Sequence, residues 1–97
     1  MIRAIHFTDL AEMREKRLAG SIYAGKPDDD GEIAFWYCCP CGCGLIAPLN
    51  AGRNFKPSGA GASWNWNGSQ TEASLIPSVN HVGHWHGWLT DGYWKAV

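Results

Sequence analysis

Glu32-Ile33-Ala34-Phe35-Trp36-Tyr37-Cys38-Cys39-Pro40-Cys41-Gly42-Cys43-Gly44-Leu45-Ile46-Ala47-Pro48-Leu49 reads as a strand, a cysteine-rich turn and a second strand. Ile33, Phe35, Trp36 and Tyr37 are β-favouring residues in one short run. Pro40 ends that run, because it cannot donate to a ladder. Gly42 and Gly44 allow the left-handed backbone that a tight chelating loop needs. The stretch Gly44 to Leu49 is again apolar and short. Two strands joined by four thiols predict a β fold with a chemical clamp at its bend.

The same logic extends outward. Towards the N-terminus, Ile2 to Phe7 predicts a first strand. Thr8-Asp9 with Glu12 makes a capping pattern, and Leu10, Met13, Arg14, Arg17 and Leu18 mark a partly apolar helical stripe that Gly20 stops. This is the one helix the chain predicts. Ser21 to Ala24 reads as a strand, and Gly25 to Gly31 as a polar turn. Its Asp28-Asp29-Asp30 run lacks the spaced oxygen ligands of a calcium loop.

Towards the C-terminus, Asn50 to Ala62 is rich in Gly, Asn and Pro and predicts a long loop. Ser63-Trp64-Asn65-Trp66-Asn67 alternates as a half-buried strand does. Thr71 to Ile76 predicts its partner, stopped by Pro77, with Pro77-Ser78-Val79-Asn80 as a turn. Val82 to Leu89 predicts a further strand. Asp91-Gly92 then predicts a hairpin into Tyr93-Trp94-Lys95-Ala96-Val97. The expected architecture is mainly β, antiparallel, with one short N-terminal helix.

A chain of 97 residues bounds this as one domain, residues 1–97. Six tryptophans, three tyrosines and three phenylalanines imply an aromatic core. A domain this small often needs a metal or disulfide staple. The net charge of −1 and the lack of a basic run do not favour nucleic acid. No stretch is long and apolar enough for a membrane span. The N-terminal residues lack the apolar run of a signal peptide, so a cytoplasmic protein is expected. In that compartment clustered cysteines read first as metal ligands.

The second cluster is His81-Val82-Gly83-His84-Trp85-His86. On a strand, residues two apart share a face, so His84 and His86 are expected to project together. Cys39, Cys41 and Cys43 share parity in the same way. Zinc takes about four thiolate and imidazole ligands. The candidate metal ligands are therefore Cys39, Cys41, Cys43, His84 and His86, around Zn2+. Cys41 and Cys43 lead the thiols. Cys38 shares strand parity with Trp36 and reads as a buried thiol, and His81 stands as a substitute for either histidine. Inert buried thiols and a thiol–disulfide switch are the competing readings.

Four candidate ligands close a zinc shell and make it structural. No carboxylate lies in either cluster, so no catalytic residue is assigned. Pro40-Cys41-Gly42-Cys43 lacks the His-x-Glu partner of a zinc deaminase. The residues thus predict a zinc-stapled protein with an accessory or interaction role towards an unidentified protein partner. The alternatives are a small metal-dependent hydrolase with an open zinc position and a thiol redox sensor.

Four segments occur together in one order: Cys39-Pro40-Cys41-Gly42-Cys43-Gly44, Leu45-Ile46-Ala47-Pro48-Leu49, Ser74-Leu75-Ile76-Pro77-Ser78-Val79 and His86-Gly87-Trp88-Leu89. Over the last two thirds of the chain this resembles a family of small bacterial and phage proteins of unknown function, often labelled "ammonia monooxygenase". The resemblance implies a Cys-x-Cys-x-Cys element and a later Cys-x-x-His pair. His86 falls at the position of the family histidine. Gly83 stands where the later cysteine is expected, with His84 as the nearest replacement. The resemblance implies a phage or bacterial accessory protein and supplies no activity; a membrane monooxygenase does not fit this chain.

Overall fold

The cysteine turn does join two strands. In a computed structural model describing residues 1–97, β3 (Glu32–Cys38) pairs antiparallel with β4 (Ile46–Arg53). Their register sets Phe35 against Leu49 and Cys38 against Ile46. Around this hairpin the chain places β1 (Ile2–Arg3), α1 (Leu10–Lys16), β2 (Ile22–Ala24), β5 (Trp64–Trp66), β6 (Leu75–Ile76), β7 (Val79–His81), β8 (Trp85–Thr90) and β9 (Tyr93–Ala96). One sheet runs β2-β3-β4-β5-β6 and the other runs β1-β9-β8-β7. The fold is mainly β with one helix, as the residue pattern predicts.

Alternation explains the packing. Ile33, Phe35 and Tyr37 of β3 point inward with Leu49 and Ala51 of β4, and Leu89 and Trp94 face them from the other sheet. Tyr37 and Trp94 meet with ring centroids 5.8 Å apart. The buried indole of Trp94 donates to the Gly20 carbonyl at 2.8 Å, which satisfies a group that would otherwise be costly to bury. Trp66 and Trp94 belong to the core, and Trp64 and Trp85 pack against it. Trp88 lies on the outer face of its strand and is exposed.

Several boundaries differ from the sequence expectation, each for a physical reason. The helix ends before Gly20, because Arg17 itself takes the left-handed cap (φ 48°) and its N–H bonds the Met13 carbonyl. Asp9 caps the other end, its carboxylate accepting from the Ala11 N–H at 3.0 Å. The expected loop at Asn50 begins later, since Asn50, Ala51 and Gly52 pair with Ala34, Ile33 and Glu32. Cross-strand pairing overrides weak local β preference there. The expected strand from Thr71 shrinks to Leu75–Ile76. Ser69 Oγ accepts from the Thr71 and Glu72 N–H groups, and Asn67 Oδ1 accepts from those of Ser69 and Ser74. Such local side-chain bonds compete with a ladder. The β4–β5 pairing is parallel, an exception to the expected antiparallel pattern.

Two differences bear on the site. The segment read as a turn before His81 contains β7, whose Val79 is buried. The strand expected from Val82 begins only at Trp85. Val82, Gly83 and His84 form a turn that the His84 N–H closes onto the His81 carbonyl at 2.9 Å. His84 and His86 therefore do not share a strand face, because one lies in the turn and the other in β8.

Candidate metal centre and serine–histidine pair

The bend after β3 presents three thiols to one point. Cys39, Cys41 and Cys43 hold their Sγ atoms within 4.8 Å of one another, a group that could hold a metal ion. Gly42 (φ 87°) and Gly44 (φ 81°) supply the left-handed backbone that turns all three inward. The N–H of Cys39 bonds the Leu45 carbonyl and that of Gly42 bonds the Cys39 carbonyl, so the loop is closed on itself. Arg17 reaches over from the helix cap and donates to the Gly44 carbonyl at 2.8 Å. Cys38 is buried at the end of β3 and lies outside the group, although it shares the outward parity of Ala34 and Trp36.

The spacing suits a tetrahedral ion. Metal–thiolate bonds of about 2.3 Å imply sulfur–sulfur edges of about 3.8 Å, and a thiolate–imidazole edge is a little shorter. Cys39 and Cys41 are 3.3 Å apart, and Cys41 Sγ lies 3.9 Å from His84 Nδ1. His84 thus approaches one of the three thiols, while the group that could hold an ion consists of Cys39, Cys41 and Cys43. His81 stacks on His84 with ring centroids 4.5 Å apart and is itself edge-on to Tyr37. The thiols polarise one another. Burial chiefly pushes Cys39 up to about 12, while the hydrogen bond from Cys39 chiefly brings exposed Cys41 down to about 7. Burial also raises Cys38 and Tyr37, the latter with the charge of Cys39 and Cys43 adding to it.

His86 does not join this group. It points from the outer face of β8, and its Nε2 lies 3.0 Å from the hydroxyl of Ser78. Ser78 occupies the crossing from β6 of one sheet to β7 of the other. The Trp64 indole donates to its carbonyl at 3.2 Å and ties the crossing to β5. Asn80 is the direct cross-strand partner of His86, so both project on one exposed face. Gly87 is needed beside His86. A Cβ there would overlap the Lys95 carbonyl and the Trp85 ring, which folds across the glycine to meet Trp94 edge-on.

The sequence reading assigned no catalytic residue and passed over Ser78. A lone serine after a proline carries no signal by itself; pairing with a histidine eight residues on is set by the β7–β8 register. A hydroxyl hydrogen-bonded to an imidazole is the working pair of nucleophilic acyl-transfer catalysts. The chain belongs to the family described as bacterial ubiquitination-like system serine protease (BubE), whose model matches residues 8–97. Comparisons with curated proteins and with solved structures give no match. No helix is long and apolar enough to cross a membrane.

Proposed function

We propose that this chain is a serine protease acting in a bacterial ubiquitination-like system, with Ser78 as nucleophile and His86 as general base. The observation that carries the reading is the 3.0 Å contact between Ser78 Oγ and His86 Nε2, in a chain whose family bears that description. In this mechanism His86 Nε2 takes the hydroxyl proton as Ser78 Oγ attacks the scissile carbonyl. The imidazolium then gives that proton to the departing amine. Water, deprotonated by the same nitrogen, releases the acyl group and restores the hydroxyl. Asn80 is the cross-strand neighbour of His86 on the same face.

The metal centre supports this pair and takes no part in the chemistry. Zinc is the ion that three thiolates and one imidazole select. Cys39, Cys41 and Cys43 would hold it, and His84, 3.9 Å from Cys41, is the nearest fourth donor; with that donor bound the shell is closed and its contribution is to folding. The rival reading, an enzyme with an open zinc position, requires that His84 stay off the ion and leave the three thiolates with a water.

The test is reaction with a fluorophosphonate probe, which phosphonylates activated serines. The protein should be labelled at Ser78, located by peptide mass spectrometry, and Ser78→Ala should abolish labelling. Wild-type protein that stays unlabelled, or that is labelled equally after Ser78→Ala, overturns the proposal.

A further inference from the structure

We infer that the metal centre is the positioning device for His86, with His84 as the link between the two. The inference rests on the Ser78–His86 reading above and adds a dependence of that pair on the bound metal.

The argument starts from how poorly the β7–β8 tip is held. β7 has three residues and lies at the edge of its sheet. Val82, Gly83 and His84 at the tip are all exposed, with Val82 at 80 %. Nothing lies within 4 Å of where a Cβ on Gly83 would be, so the tip has no packed partner there. Short, exposed, weakly packed hairpin ends open at little free-energy cost. Two contacts anchor this one. His84 Nδ1 faces Cys41 Sγ at 3.9 Å, and His81 meets the edge of Tyr37 with centroids 6.3 Å apart.

His86 lies two residues beyond His84 on β8, with β7 on one side and, on the other, the Val97 N–H donating to its carbonyl at 3.0 Å. Its partner Ser78 is held from the opposite side, by Trp64 on the other sheet. Ser78 leads into β7 and His86 lies on β8, so the distance between them depends on how the two strands of this hairpin are held. A metal bond from His84 to the thiolate cluster would fasten the tip to the β3–β4 turn and fix the imidazole of His86 opposite Ser78. Without that bond, fraying from the tip is opposed only by the Trp85–Trp94 contact and the Val97–His86 bond before it displaces His86. A misplacement of about 1 Å between reacting groups can cost a factor of about 100 in rate.

Three variants of the full chain, each prepared with zinc, test this: wild type, His84→Ala and His84→Cys. Metal content, thermal melting and the rate of fluorophosphonate labelling at Ser78 are measured on each. In His84→Ala the three thiolates can retain the metal, with water as the fourth ligand, while the tip is released. Labelling should slow by roughly tenfold or more in a protein that still melts cooperatively. His84→Cys restores a fourth ligand and should recover most of the rate. Chelation of the wild type should slow labelling likewise, with recovery on adding zinc back. A folded His84→Ala protein labelled at the wild-type rate overturns the inference, as does a metal-loaded His84→Cys protein as slow as His84→Ala. Should His84→Ala fail to fold, the His84→Cys comparison and the chelation series decide. Wild-type protein that never reacts overturns instead the serine protease reading itself.

Discussion

The thiol cluster and the serine–histidine pair of this molecule are built on opposite plans. The thiol cluster is a local structure. Its three cysteines come from one five-residue bend, with Cys39 buried as its floor and Cys41 and Cys43 exposed as its rim. The serine–histidine pair is a product of sheet register. Ser78 and His86 come from the two sides of a hairpin and meet on an open face. A locally encoded centre stabilises whatever holds it. A register-encoded centre draws on stability supplied elsewhere and is free to be exposed and reactive.

That contrast makes an asymmetry that mutation can break. Ser78→Ala and His86→Ala should each abolish hydrolysis, by a factor on the order of 10³ or more, while leaving the melting temperature within about 2 °C. Peptidase activity or probe labelling, measured beside thermal melting, checks both halves. Cys39→Ser should do the reverse first. It removes the buried member of the proposed ligand set, so metal content should fall below one per chain and stability should drop by several kcal/mol. If Cys39→Ser left the melting curve unchanged, the division of labour between the centres would collapse.

Smaller effects sharpen the boundary between them. Gly87→Ala places a methyl against the Lys95 carbonyl and the Trp85 ring, next to His86. Overpacking of this kind costs about 1–3 kcal/mol, and chemical denaturation should read that loss. Trp64→Phe keeps the ring and removes the donor to the Ser78 carbonyl. One such hydrogen bond is worth about 1 kcal/mol, so labelling at Ser78 should slow by a few-fold with little change in melting. A rate unaltered by Trp64→Phe would show that the crossing is held by its strands alone.

The smallest effect concerns His6, far in sequence from both centres. Its imidazole is lowered from the usual histidine value by burial, and its Nδ1 has no partner. The folded chain therefore resists a proton that the unfolded chain accepts. The stability this histidine contributes is present above the unfolded value of about 6.5 and is lost as pH falls below it. Thermal melting of His6→Asn should show a shallower decline between pH 7 and 5.5 than the wild type does.

Much of this molecule was legible in its residues. The β-rich class, the single helix with its Asp9 cap and the hairpin around the cysteine turn all follow from type and parity. The metal candidates Cys39, Cys41 and Cys43 followed as well, since proximity in sequence nearly guarantees proximity in space over so short a bend. What failed was the parity argument for His84 and His86, which assumed a strand where Gly83 allows a turn (φ 82°). β7 was hidden because Asn80 and His81 are polar and only Val79 is buried.

The sequence by itself therefore determined a small aromatic β domain with a thiol cluster at one bend, because period-two alternation and local ligand spacing act over a few residues. Only the tertiary structure decided that His84 approaches Cys41 while His86 turns to Ser78. That partition depends on which residue begins β8 and on how two sheets meet at the Pro77–Ser78 crossing. Such long-range pairings are set by the packing of Val79, Leu89 and Trp94 in a shared core, and no short motif encodes them.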